Sequence, residues 1–297
     1  MSSELQTQRP TATRAARALG NPAIRMSVAL LSIAIPFALV ATPINMFVSD
    51  KSLKRLGALL LIAVVLAAYR AYVRTVEKRP VFELARRHLL RELGAGLLLG
   101  ALLFCVTEGV LVAFGVYQVT FGNGWAAMLA TVPAFALSGV LEEVVMRGVV
   151  FRILEQSLGS WIALAISAAI FGLLHLLNPG ATLLNAVCIM VEAGVLLGAA
   201  YMLTRRLWLC IGIHAAWNFT EGGVFSAAVS GGNARGLLQT KSIGADWLTG
   251  GAFGAEGSVV ALVVCGAAGI LLLAAAVRKG KVVQPFWSAK RPVVRAA

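Results

Sequence analysis

The sequence predicts an all-α fold, a polytopic transmembrane helical bundle with about eight spans and both termini cytoplasmic. Three observations carry that reading. Of 297 residues, 59% are hydrophobic and 13% charged, against about 25% charged in soluble domains, and the mean hydropathy is +0.84. The apolar runs reach about 20 residues, the length a helix needs to cross hydrocarbon, rather than the ten-residue alternation of barrel strands. Lys and Arg also fall unevenly on alternate loops, the signature of cytoplasmic segments.

Residues 1–25 form a polar tail carrying Arg9, Arg14, Arg17 and Arg25. The apolar run Met26 to Val48 is too long for a signal-peptide core and reads as a retained first span. Further spans fall near 56–73, 94–116, 125–151, 161–177, 181–203, 207–229 and 257–277, bounded by charges, Gly or Pro, or anchors such as Trp125 and Trp161. With the N-terminus inside, 20 basic residues lie on the cytoplasmic side and 5 on the other, Arg147 alone lying within a span. An odd span count would leave one basic tail outside, so eight is favoured. The chain thus divides into a basic tail (1–25), a membrane domain (26–277) with its core at 125–229, and a second basic tail (278–297).

Two connections have their own character. In VFELARRHLLREL after Pro80, Phe82, Ala85, Leu89 and Leu93 share one helical face and Arg86, Arg87 and Arg91 lie off it, which predicts an interfacial helix. The Gly-rich loop 230–257 lacks a βαβ context for a phosphate cradle and reads as a flexible non-cytoplasmic connection. Cys105, Cys188, Cys210 and Cys265 sit in apolar segments without a CxxC pair, so neither a disulfide framework nor a thiolate metal site is expected. The net charge of +13 is read as helix orientation and contact with anionic lipid, with the bilayer as partner and no nucleic acid.

An ionisable group at membrane depth is costly unless paired or hydrated, so each is a candidate functional residue. These are Glu108, Glu142, Glu143, Arg147, His175, Glu192 and His214, with Glu221 near a span end; two of the three histidines lie within spans. Glu143 and Arg147 stand four apart and pair on one helix face, while Glu142 points about 100° away and stays unpaired. Desolvation is expected to raise its pKa and suit it to act as general base. His175 follows Phe171 by one turn, so the rings pack, and His214 and Asn218 project together from one face. The set suggests a water activated by carboxylate and imidazole, with a second imidazole and an amide for an oxyanion. No HExxH or GxSxG accompanies it. Glu108 and Glu192 are read as protonated acids within the bundle or as lining a water path.

The ordered motifs EExxxR (Glu142, Glu143, Arg147), FxxxH (Phe171, His175) and HxxxN (His214, Asn218) resemble the CPBP (ABI) family of intramembrane proteases. That family includes CAAX prenyl proteases and bacteriocin-processing and self-immunity proteins. The resemblance covers about residues 125–229. It implies that Glu142 activates water with His175, that Glu143 and Arg147 hold the motif helix, with Phe171 in support, and that His214 and Asn218 stabilise the oxyanion. The family has been described both as metalloproteases and as metal-free glutamate enzymes. Under the first description Glu142, His175 and His214 would ligate a divalent metal such as zinc; the lack of a further His or Cys ligand at that depth inclines the reading to the second. The implied partner is a membrane-associated peptide or protein. The Ala, Gly and Arg content resembles a bacterial chain, so an unprenylated substrate and a multi-pass location in a bacterial plasma membrane are expected. The rival classes are a transporter using the acids as a proton relay, an immunity or binding protein retaining the fold, and a lipid-binding scaffold. A relay has no particular need of His214 with Asn218.

Threading the spans as drawn leaves one conflict. Glu142 and His214 lie about 10–15 Å from the cytoplasmic boundary at ~1.5 Å per residue, whereas His175 falls near the far end of its helix, so tilt or an earlier start near Leu154 is required.

Overall fold

A computed structural model describes residues 19–288; most of the predicted N-terminal basic tail and residues 289–297 of the C-terminal one lie outside the described residues. Helix α1 (Pro22–Phe47) opens with Asn21 capping its first N–H groups and Pro22 in the first turn. Helix α2 (Lys51–Thr75) is capped by Asp50, and α3 spans Leu89–Ala113. Helix α4 (Trp125–Glu143) runs through a π-helical stretch, Val144–Phe151, into α5 (Arg152–Leu174). Helices α6 (Leu183–Ile189) and α7 (Leu196–Thr204) form one rod through the π turn Met190–Val195, and α8 (Leu207–Asn218) ends in another, Phe219–Val224. A short α9 (Asp246–Thr249) precedes α10 (Val259–Arg278), which Ser258 caps.

Six stretches among the described residues are long and apolar enough to cross a membrane. One of them, Trp125–Leu177, has 53 residues and breaks at Gly159, whose φ of 77° and ψ of 169° are not helical. Split there, and with the shorter Leu207–Val224 rod, the eight expected segments are all helical. The apolar side chains that remain exposed, such as Leu31, Leu39 and Leu98, are those a lipid environment would cover.

The position of the break resolves the conflict over depth. The first arm continues helically through 152–158, which the sequence reading assigned to a loop, and reverses at Gly159. Arg147 and Phe171 each lie twelve residues from Gly159 and touch, the guanidinium carbon 5.0 Å from the ring centre. Glu142 and His175 lie seventeen and sixteen residues from it, so at about 1.5 Å per residue they reach the same height. A side chain at Gly159 would meet Pro285 N at 2.7 Å, because the tail crosses this turn. Val283 O accepts from Ser160 N at 2.9 Å, and Phe286 N donates to Ser157 O at 3.2 Å.

The interfacial helix expected after Pro80 does not form. Phe82–Leu84 and Arg86–His88 are single 3-10 turns separated by extended Ala85, and α3 starts at Leu89. Glu83 is drawn inward to Arg79 at 2.9 Å, and Ala85 O accepts from Trp208 Nε1 at 2.9 Å instead of from a backbone N–H of a continuing helix. The 230–257 segment is not a loose connection either. Strand β2 (Leu238–Ser242) pairs antiparallel with β1 (Tyr117–Phe121), α9 follows, and a 3-10 turn, Ala255–Gly257, leads to α10.

Helices α3 and α8 lie backbone to backbone: a Cβ at Gly100 would stand 2.2 Å from Ile213 O. Small residues permit this approach between membrane helices, and it fixes α8 immediately before His214.

Candidate active site

Glu142 and Glu143 end α4. Glu143 is fully buried, and its Oε1 accepts from Arg147 Nη1 at 2.8 Å and from His214 Nδ1 at 2.9 Å. The expected i,i+4 ion pair is therefore present, with a further consequence: Glu143 orients His214. With Nδ1–H committed to Glu143, the His214 ring turns Nε2 toward Glu142, 3.8 Å from Oε2. Arg147 is held in turn by the carbonyls of Ala193 and Gly194 and lies over the Phe171 ring. Phe171 and His175 stack with centroids 4.7 Å apart.

Glu142 is neither desolvated nor unpartnered as expected, because its side chain is 34% accessible and opens into a cavity. Ser138, one turn earlier, donates its hydroxyl to Glu142 Oε1 at 3.0 Å and accepts from Asn218 Nδ2 at 3.1 Å. Ser138 went unnoticed in the sequence although its i,i+4 spacing to Glu142 marks the same helix face. This chain leaves one N–H of the Asn218 amide uncommitted. His175 begins a 3-10 turn at the end of α5, and its Nδ1 bonds Phe171 O at 2.8 Å. A carbonyl only accepts, so Nδ1 carries the proton and Nε2 presents a lone pair.

Glu142, His175, His214 and Asn218 line one cavity of about 340 Å³, together with Ser138 and Glu192. A second, more apolar cavity of about 640 Å³ lies between α1 and the α4–α5 hairpin, bordered by Leu30, Phe37 and Met146, and it shares Glu142, Phe171, His175 and Asn178 with the first. The implied metal ligands do not assemble: among the described residues no three His, Cys, Asp or Glu side chains converge as a metal-binding group. Glu108 lies away from the cavity, accepting from Thr240 Oγ1 at 3.2 Å. The four cysteines are free thiols.

The three motifs thus meet on one cavity wall. Residues 123–220 match the type II CAAX prenyl endopeptidase Rce1-like family. The match agrees with the resemblance read from the sequence, and this Rce1-like segment contains all seven motif residues while covering about a third of the chain. The findings describe a multi-pass membrane protein in which residues 123–220 are similar to a CAAX-type endopeptidase family. Comparison with curated proteins and with solved structures gives no match.

Proposed function

We propose that the protein is an intramembrane endopeptidase in which Glu142 and His175 activate water and His214 and Asn218 receive the oxyanion. The supporting observation is the cavity wall on which α4, the end of α5 and α8 present these four side chains. Glu142 and the Nε2 of His175 are both acceptors, so a water between them gives a hydrogen to each and turns its lone pair to the scissile carbonyl. Glu142 takes the proton as the C–O bond forms and delivers it to the leaving nitrogen as the C–N bond breaks. The free N–H of Asn218 can donate to the carbonyl oxygen as its charge develops. His214 offers Nε2–H to the same oxygen in its imidazolium form, since its Nδ1–H belongs to Glu143. The Glu143–Arg147 pair acts as the positioning element.

The apolar cavity gives an extended, membrane-associated peptide a lateral approach from lipid, while the polar cavity supplies water. We assign the protein to the plasma membrane of a bacterium with both tails cytoplasmic, as the distribution of Lys and Arg indicates. We also take 26–277 as one membrane domain around a 125–229 core.

The test is cleavage of a membrane-derived peptide library by purified protein in liposomes, wild type against Glu142→Ala, each with and without a strong chelator. Products absent in the variant and unaffected by chelation are expected. Loss on chelation would make the enzyme metal-dependent, and identical profiles for wild type and variant would refute the hydrolytic reading in favour of transport or binding.

A further inference from the structure

Glu192 is a buried carboxyl that the reaction above leaves unused. It is 4% exposed, sits in the π turn between α6 and α7 and lines the polar cavity. Its Oε2 is sealed without a hydrogen-bond partner among the described residues. An ionised group in that position costs several kcal/mol unless a partner arrives.

A second carboxyl lines the same space. Glu256, 3% exposed, lies in the 3-10 turn before α10. Its Oε1 accepts from both the backbone N–H and the hydroxyl of Ser230, the latter at 2.6 Å. Ser230 holds a left-handed backbone, φ 49°, and Gly231 N anchors that turn to Phe253 O at 2.8 Å. Behind Glu256, Glu221 is already committed, accepting from Trp217 Nε1 at 3.1 Å and from Glu256 N at 3.2 Å.

Among the described residues no Lys or Arg lines this cavity, and the nearby Arg147 is engaged by Glu143 and two carbonyls. The lining therefore carries three carboxyls, Glu142, Glu192 and Glu256, against two imidazoles and no Lys or Arg among the described residues. Between the acids run apolar walls, including Phe135, Ile189 and Leu196, suited to the methylene stem of a long side chain.

We infer that Glu192 and Glu256 form a subsite for a cationic nitrogen group of the bound peptide, a Lys or Arg side chain or a free amino terminus, beside the bond hydrolysed at Glu142. Calling that peptide a substrate rests on the proteolytic reading; the binding does not. An ammonium or guanidinium meets the Glu192 carboxylate from the cavity side with a charge-assisted hydrogen bond, supplies the counter-charge that the unpartnered Oε2 lacks, and does not require three converging ligands. The two residues determine specificity and take no part in bond cleavage.

The experiment measures binding to full-length protein silenced by Glu142→Gln and held in nanodiscs. The probes are short, labelled apolar peptides with one lysine scanned through the sequence, each paired with its norleucine counterpart, and each made with a free and an acetylated amino terminus. The best lysine peptide is expected to bind about tenfold or more tighter than its norleucine partner. Adding Glu192→Gln should collapse that preference while norleucine peptides bind as before. A preference that follows acetylation instead assigns the subsite to the amino terminus. Equal affinities within every pair, or a preference unchanged by both Glu192→Gln and Glu256→Gln, would overturn the inference. The comparison in the Glu142→Gln protein decides the matter even if a Glu192 variant does not fold. Lysine preference in a protein whose wild type cleaves nothing would defeat the proteolytic reading and leave the subsite standing.

Discussion

Glu143→Gln is the most informative single change, because it keeps the shape of the side chain and removes its charge. Arg147 is 3% exposed and would remain as a buried cation with only neutral acceptors, the new amide oxygen and the Ala193 and Gly194 carbonyls. The new amide N–H₂ is no compensation, since Glu143 Oε2 is buried with no partner to receive a donor. Breaking one side of a buried pair costs about 3–5 kcal/mol. Arg147→Met alone leaves Glu143 with His214 as its remaining partner and is expected to fall in the same range. Removing both charges together leaves no uncompensated ion, so Glu143→Gln/Arg147→Met should cost at most about 1–2 kcal/mol, a coupling of about 3 kcal/mol or more. Denaturant unfolding of the four proteins in one detergent, followed by far-ultraviolet circular dichroism, measures this cycle. Additive single effects would refute the assignment of the pair as the element that makes these buried charges tolerable. Cleavage supplies an independent readout: the double variant should be stable yet slow, because His214 has lost its charged acceptor at Nδ1. A double variant with wild-type cleavage would show that Glu143 does not position His214.

Other perturbations test separate links. Gly159→Ala forces a side chain into a backbone region nearly exclusive to glycine and against Pro285 N at 2.7 Å; it should lower stability by about 1–3 kcal/mol and reduce cleavage by moving His175 relative to Glu142. Ser138→Ala removes the link between Asn218 and Glu142 and should slow cleavage about tenfold without changing the thermal midpoint by more than a few degrees. Burial raises the Glu77 carboxyl, but the hydrogen-bonded Arg152 and Arg79 outweigh it and hold Glu77 below its usual pKa of 4.5. A depressed folded pKa gives stability that is present above the unfolded value and lost as pH falls through the folded one. Acid unfolding below about pH 4.5 should therefore be shallower in Glu77→Gln, and an identical pH profile for the two proteins would remove Glu77 from the account.

Much of this architecture was legible from pattern alone. The eight helical segments follow from hydropathy, and the i,i+4 spacings of Glu143 with Arg147, Phe171 with His175 and His214 with Asn218 place each pair on a single face. Their convergence was not legible, because it depends on where the chain reverses. The polar run after Arg152 reads as a loop, whereas the helix continues to Gly159, and this extension equalises the heights of Glu142 and His175. Glu192 was read as a protonated acid or as lining a water path, and its place in the cavity became visible only with the loop that carries Glu256. That loop was misjudged because its glycines suggest mobility, while the β1–β2 pairing and the Ser230–Glu256 contact involve partners distant in sequence.

The departures from regular helix explain how so polar a site is accommodated in so apolar a bundle. Among the described residues three π-helical turns occur, after Glu142 and Glu143, around Glu192, and after Asn218. Each adds a residue to its turn, which rotates the side chains that follow and frees backbone carbonyls from the i→i−4 ladder. Carbonyls in and beside these turns also accept from side chains and from distant backbone. Gly148 O accepts from Tyr69 Oη at 3.1 Å and Arg152 Nε at 2.7 Å, Ala193 O and Gly194 O accept from Arg147, and Gly223 O accepts from Leu237 N at 2.9 Å. A straight helix would offer none of these acceptors, and Arg147 would face the bundle with Glu143 alone. The same distortions that turn the site residues toward one cavity thus also solvate the cation behind them. Polar function and membrane stability depend here on one set of backbone irregularities, which is why single-residue insertions or deletions between 143 and 152 should be far more damaging than side-chain changes on the lipid-facing surface of the same helix.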